Sequence, residues 1–225
     1  MHNLRKIYLI RHCEPQLPNG VPICLGKKDI ILSDNGLKEA NELRKYFSKI
    51  KLSLAYTSPL MRAKKTAEII ANNKLNVSIK NNFSEFNIGK WDGMSFAEIK
   101  EKYPLEYKLR GEDFEHFVVE GGESMSDCQK RAYDELLGAL QESFGDILIV
   151  AHAGVNRTII SKICGISIKD SFAYKHEYGS INVLTYDGKT FTINKIGASV
   201  NDLKNERSCE HWEELLYSEL VKVEE

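Results

Sequence analysis

ILIVAHAG, residues 147–154, is five apolar residues ending in a histidine and two small residues. So short an apolar run, preceded by Asp146, reads as a strand buried on both faces, of the kind a parallel sheet covered by helices requires. Behind it, VNRTIISKI (155–163) carries apolar residues at helical spacing. The unit is therefore strand, histidine-bearing loop, helix. Open α/β sheets place their sites in such loops, past the carboxyl ends of strands, and the first amides of the following helix point at an anion site. A second stretch has the same form: IYLIRHC, residues 7–13, is a four-residue apolar run, Ile7 to Ile10, closed by Arg11-His12. Each histidine alone reads as a polar residue at a strand end. Together, with Arg11 beside His12, they outweigh that reading.

Outward from these two stretches the chain alternates strands and helices, without repeats or a low-complexity linker. After residues 6–11 comes a loop with Pro15, Pro18, Asn19, Gly20 and Pro22. A helix is expected after Ser33, with Leu37, Ala40, Leu43, Tyr46 and Phe47 at its spacing. Residues 52–57 predict a strand, and Pro59 opens a helix to about Ala71. Val77 to Ile79 forms a short strand. Between 83 and 122 the periodicity is weak, and Gly89, Gly93, Gly111, Gly121 and Gly122 punctuate it. This segment reads as an inserted cap or lid. A long helix follows Ser124, with Met125, Cys128, Ala132, Leu136 and Leu140 on one face, and Asp187-Gly188 marks a hairpin. The division expected is a main domain over 1–198 and a helical extension over 199–225. In the extension, Trp212, Leu215, Leu216 and Leu220 form an apolar stripe on an acidic helix. Docking on its own domain is favoured over a homodimer or partner helix.

Composition narrows the functional classes. Lys+Arg 31 against Asp+Glu 32, and no basic run longer than two, argue against nucleic acid as the main partner. A chain of 225 residues with 42% hydrophobic residues can bury a sizeable core. No apolar stretch approaches a membrane span, and MHNLRKIYLIRH lacks the pattern of a cleavable signal. Cys13, Cys24, Cys128, Cys164 and Cys209 are odd in number and have no CxxC spacing. They read as reduced thiols of a cytoplasmic protein, with no zinc site.

LIRHCEP, TSPLMRAKKTA, FSEFNIGKWDG, GGES and IVAHAG occur in that order between residue 7 and about 196. In this series the chain resembles the histidine phosphatase superfamily, which has the phosphoglycerate mutase-like fold. The resemblance implies a three-layer α/β/α sandwich around a mostly parallel sheet, with a small cap insertion, and a small phosphorylated metabolite as ligand. It implies His12 as nucleophile, Arg11 and Arg62 as phosphate clamps, His152 as the second active-site histidine and Glu85 as acid/base. Gly26 matches the family's glycine before the first long helix, with its amide toward substrate. Asn19, Ala153 and Gly154 complete the implied binding residues.

The chemistry agrees independently. Phosphoryl transfer asks mainly for positioning and for positive charge around the equatorial oxygens. Two arginines supply permanently charged donor forks, so neither a metal nor another cofactor is expected. A histidine is partly unprotonated near neutral pH, and a carboxylic acid can protonate a departing alkoxide. Glu14, Glu98 and Glu123 compete with Glu85. Its place before Gly89 and Trp91 decides for Glu85, and Glu123 reads instead as holding the turn ahead of the long helix. Lys64 and Lys65 read as a solvated face. His2, His116, His176 and His211 default to structure or surface.

Four positions depart from the family pattern, the mildest being Ala153 in place of a frequent glycine, where the amide remains. Cys13 stands where glycine is usual, Pro15 where Ser or Thr is usual, and Pro18 where Asn is usual, with Asn19 one place late. Proline has no amide to donate, so the loop's phosphate contacts must be rebuilt or dropped. Residues 24–36 with GGES are most similar to the branch containing α-ribazole phosphatases and broad-specificity phosphatases. Phosphomonoester hydrolysis is therefore favoured. Mutase is the runner-up, because the longer acid-site segment of mutases is missing. A cysteine phosphatase lacks its Cys-x5-Arg here. A catalytically weak phosphate-binding scaffold is the reading from another class.

Overall fold

The protein, described here from a computed structural model, is covered over residues 4–205. The strands and helices run β1 (Arg5–Arg11), α1 (Asp34–Phe47), β2 (Leu54–Thr57), α2 (Met61–Ala71), β3 (Val77–Ile79), α3 (Phe96–Lys102), α4 (Pro104–Glu112), α5 (Met125–Gln141), β4 (Ile147–Ala151), α6 (Ala153–Cys164), β5 (Ile181–Tyr186), β6 (Phe191–Ala198) and α7 (Val200–Lys204). They build one mixed sheet in the order β3-β2-β4-β1-β5-β6. The first four strands in that order are mutually parallel, while β5 and β6 join antiparallel.

The layers follow from the period of two along a strand. In β1, Ile7 and Leu9 pack with Cys128, Ala132 and Leu136 of α5 and with Val155 and Ile159 of α6. The intervening Tyr8 and Ile10 pack on the other face, with Ala40, Leu43 and Phe47 of α1 and Ala63 and Ala67 of α2. β4 alternates in the same way and is buried throughout. This is the α/β/α sandwich expected. Burying each leucine, isoleucine, valine or phenylalanine among these contributes roughly 1.5–3 kcal/mol.

Local chemistry sets the ends of the helices. Ser33 accepts the Gly36 amide at the start of α1, and Ser124 forms a capping box with Asp127 at the start of α5. One boundary differs from the sequence expectation. Pro59 does not open α2: the helix begins at Met61 with Leu60 as its N-cap. The reason is tertiary, since the Met61 amide donates to Asp29 Oδ1 (2.7 Å) and the Leu60 amide to Ser58 Oγ (3.2 Å).

Residues 83–122 contain two short helices, α3 and α4, rather than irregular chain alone. Their periodicity is weak because α3 buries only Ile99 and α4 buries nothing. Trp91, Ile99 and Val119 form a small core of their own. Gly89 closes this segment at φ +57°, where a Cβ would stand 2.2 Å from the Glu120 carbonyl oxygen. Only glycine fits there. The hairpin at Asp187-Gly188 joins β5 to β6, with the Asp187 carboxylate accepting the Lys189 and Thr190 amides. The stripe of Trp212, Leu215, Leu216 and Leu220 lies outside the described residues, as do His2, Cys209 and His211.

Candidate active site

Strand register builds the centre of the site. Arg11 of β1 pairs with Ala151 of β4, so His12 and His152 are each the first residue past the same rung. Thr57 of β2 pairs with Val150, which brings Ser58 to the neighbouring position. The two imidazoles stand 5.1 Å apart between centroids at 61°. Both are buried.

The hydrogen bonds around His12 fix its proton. Nδ1 lies 2.7 Å from its neighbour's carbonyl, Cys13 O, which can only accept. The proton is therefore on Nδ1, and the Nε2 lone pair is free to accept or attack. Arg62 Nε donates to that Nε2 at 3.3 Å. Arg62 is fully buried, and its two terminal nitrogens donate to Lys28 O (2.9 Å) and Gly26 O (2.8 Å). Burial, and then the charges of Arg62 and Arg11, hold His12 well below the usual histidine range. The imidazole is neutral at pH 7.

His152 is depressed for the same reasons, burial first. Ser58 Oγ, which accepts the Leu60 amide, lies in hydrogen-bond reach of His152 Nε2 at 2.8 Å. The other ring nitrogen of His152, Nδ1, is a buried atom without a partner among the described residues. Arg11 donates to His176 O and stacks on the Tyr178 ring, with Cζ 3.8 Å from the centroid. Its buried Nε is also unpartnered. The centre thus presents unpartnered nitrogens, the Arg11 Nε–H among them, around a neutral imidazole lone pair, an arrangement fitted to a tetrahedral oxyanion.

Glu85 faces this centre from the segment after β3. Its carboxylate accepts the amides of Gly154 (3.2 Å), Val155 (3.2 Å) and Phe86 (2.9 Å). A Cβ on residue 154 would lie 2.6 Å from Glu85 Oε1, so the approach requires Gly154. The first amides of α6 do hold an anion, but for Gly154 and Val155 that anion is Glu85 and not a ligand. Helix α6 begins at Ala153 itself, whose amide is unused among the described residues.

Other expectations are corrected by the contacts. The Gly26 amide is not open to substrate: it donates to Asp92 Oδ1 at 2.9 Å, and glycine's carbonyl serves Arg62 instead. In the loop after His12, the amides of Cys13, Glu14, Gln16 and Leu17 go to Thr66, Glu39, Ile31 and Pro15. These four amides are therefore not open to a phosphate. Asn19 lies in a 3₁₀ turn, Pro18–Gly20, and its side chain is outside what the structure describes. The rival carboxylates are occupied elsewhere. Glu14 accepts from Ser33 and Asn35, Glu98 caps α3, and Glu123 clamps Arg131 and the Asn87 amide. Sequence reasoning missed Tyr178 as a neighbour of the site. It comes from the loop before β5, where no motif marks it.

His176 sits behind Arg11, buried, with neither ring nitrogen partnered among the described residues. Burial, then Arg157 and Arg11, push it down to about 3. Its folded value is below the unfolded one, so below about pH 6.5 the unfolded chain binds a proton that the folded chain refuses. Stability is therefore lost as pH falls from 6.5 toward 3, by about 2 kcal/mol between pH 7 and pH 5. His176→Leu keeps the backbone carbonyl that holds Arg11. Urea unfolding of this variant at both pH values should show a pH penalty about 2 kcal/mol smaller than in the parent. An unchanged penalty would assign the acid sensitivity elsewhere.

Beside Arg11 and Glu85 opens a cleft of about 610 Å³ lined by residues of α4 and α6. Arg11, Glu85, Ala153 and Gly154 line its inner end, and Trp91, Phe114 and Phe172 are among the aromatic residues further out.

Comparison with known proteins agrees with this geometry. The sequence profile of the histidine phosphatase superfamily (branch 1) matches residues 7–199. Phosphoserine phosphatase 1 of Hydrogenobacter thermophilus is 28% identical over 193 residues, covering 85% of this chain and 91% of that protein. Adenosylcobalamin/alpha-ribazole phosphatase of Escherichia coli is 22% identical over 203 residues, covering 89% and 99%. Among solved structures, YhfR of Bacillus stearothermophilus superimposes with a TM-score of 0.79 at 26% identity, covering 87% of this chain and 98% of that one. The chain belongs to the histidine phosphatase superfamily and is a phosphomonoester hydrolase.

Proposed function

We propose that this histidine phosphatase hydrolyses small-molecule phosphomonoesters through a phosphohistidine on His12. The observation that carries the reading is the His12 tautomer: a neutral ring whose Nε2 lone pair faces the Arg62 guanidinium. In the first step Nε2 attacks phosphorus and the ester P–O bond breaks. Arg11, Arg62 and His152 hold the equatorial oxygens, and protonated Glu85 gives its proton to the leaving alkoxide. In the second step water attacks the phosphohistidine and Glu85 takes the proton. Phosphate leaves, and His12 returns to its neutral form.

Residues 83–122 serve in this reading as the cap over the leaving group. The substrate is a small phosphorylated metabolite, with α-ribazole phosphate or a related compound as the candidate, given the likeness to an enzyme named for that ester. Among the described residues no helix is long and apolar enough to cross a membrane. We assign the enzyme to the cytoplasm on its reduced cysteines.

Two arginines already supply the charge that a metal ion would bring to the phosphoryl group. Release of inorganic phosphate from α-ribazole phosphate, 3-phosphoglycerate and sugar phosphates should therefore persist after exhaustive chelation. With 3-phosphoglycerate, released phosphate should exceed isomerised product. A strict need for added divalent metal, or isomerisation far outrunning release, would replace this reading with a metal-dependent or mutase mechanism.

A further inference from the structure

The charges along the cleft are unbalanced. Its lining carries four cations, Arg11, Arg110, Arg157 and Lys169, against one carboxylate, Glu85. Arg11 and Glu85 are taken up at the phosphoryl end. Arg110 is half-buried and makes no hydrogen bond or ion pair among the described residues. Instead its Cζ lies 4.5 Å from the Phe114 ring centroid. Arg157 stands over Phe172 at 4.7 Å, gives one nitrogen to the Tyr174 carbonyl, and keeps a buried Nε without a partner. Lys169 is exposed at the rim and likewise unpaired among the described residues.

The walls between these cations are aromatic. Phe114 and Phe172 meet edge to face at 5.0 Å, joining the end of α4 to the turn after α6. Phe172 is 43% exposed although it lines the cleft. Trp91 also lines it, and its buried indole N–H has no acceptor among the described residues. Buried donors without partners are rare in folded proteins, and a ligand supplying acceptors is one reason for them. At about 610 Å³ the cleft is of a size that holds a drug-sized molecule. A three-carbon alcohol would leave most of it empty.

We infer that the preferred substrate is a phosphomonoester whose alcohol has a flat ring system and carries a second anionic group. The rings lie against Phe114 and Phe172, and the second anion is held by Arg110 and Lys169. This rests on the phosphatase reading above, adds the leaving-group class to it, and departs from α-ribazole phosphate itself, whose alcohol has the flat ring but no second anion. A charge-assisted contact in a partly desolvated cleft is strong enough to discriminate about tenfold or more between esters with and without the anion.

The test compares kcat/KM for phenyl phosphate, 2-naphthyl phosphate and 6-carboxy-2-naphthyl phosphate. For the parent enzyme the carboxylated naphthyl ester should exceed the neutral one by about tenfold or more. The ratio of the two should collapse toward one in the double variant Arg110→Gln, Lys169→Gln. Raising the salt should lower the ratio in the parent and leave it flat in the variant. Turnover of the neutral esters with no preference for the carboxylate, or a preference that survives the double substitution, overturns the inference and leaves the phosphatase reading standing. Absence of turnover on all three esters overturns both.

Discussion

His12→Ala should lower kcat by a factor on the order of 10⁶, the scale of nucleophile deletions in other covalent enzymes, and should leave no phosphoenzyme. The parent, quenched rapidly after mixing with labelled substrate, should carry an acid-labile, base-stable phosphate at one residue. The expectation follows from how His12 is held. A histidine free in water is partly protonated at pH 7, and a protonated ring cannot attack. Here burial and two adjacent guanidinium groups disfavour the charged ring, so the attacking form is populated well into the acid range. Cys13 O fixes the proton on the nitrogen remote from the site, and Arg62 lies at the lone pair where the phosphoryl group must arrive. His152 is as neutral and as buried, but its Nε2 is engaged by Ser58. Among the described residues no carbonyl fixes its proton away from the site as Cys13 O does for His12. Label persisting in His12→Ala would reverse these two roles.

How far the sequence reveals this site depends on how local each feature is. The strand ends that carry His12 and His152 are legible because short, doubly buried runs have only one covered environment to enter, and the residue after such a run stands at the carboxyl end of the sheet. Arg62 is legible through its motif, three residues past the proline that precedes α2. Glu85 is legible only by resemblance: no periodicity surrounds it, and its partners Gly154 and Val155 lie about seventy residues on. The misreading of Gly26 has the same origin. Its amide is consumed by Asp92, a residue 66 positions away, and no local pattern announces such a contact. α3 and α4 escape because a helix that buries one side chain or none carries no stripe. The cation-lined cleft draws residues from α4, α6 and the turn after it, so only the folded chain assembles it.

Glu85→Gln should slow phosphorylation by alkyl phosphates on the order of 10²–10⁴-fold, the worth of a positioned acid, and should barely slow it with nitrophenyl phosphate. An alkyl ester expels a strongly basic alkoxide that needs a proton as the P–O bond breaks, whereas nitrophenolate leaves as a stable anion. The geometry suits a group that works in both halves of the cycle. Three amides hold the carboxylate in place for both steps. Those same amides make the substitution structurally demanding, because an amide NH₂ cannot accept from a backbone N–H. Thermal stability must therefore be followed alongside activity, and Glu85→Asp serves as a second variant that keeps the acid but withdraws it. Single-turnover measurements isolate the phosphorylation step, since a blocked water attack would otherwise mask the contrast between leaving groups. Equal loss with both esters at unchanged stability would make Glu85 a group that positions α6 rather than an acid. With no loss for either ester, the proton would have to come from another group lining the cleft. Among the described residues lining it there is no other carboxylate, so such a result would point to water held by the second histidine.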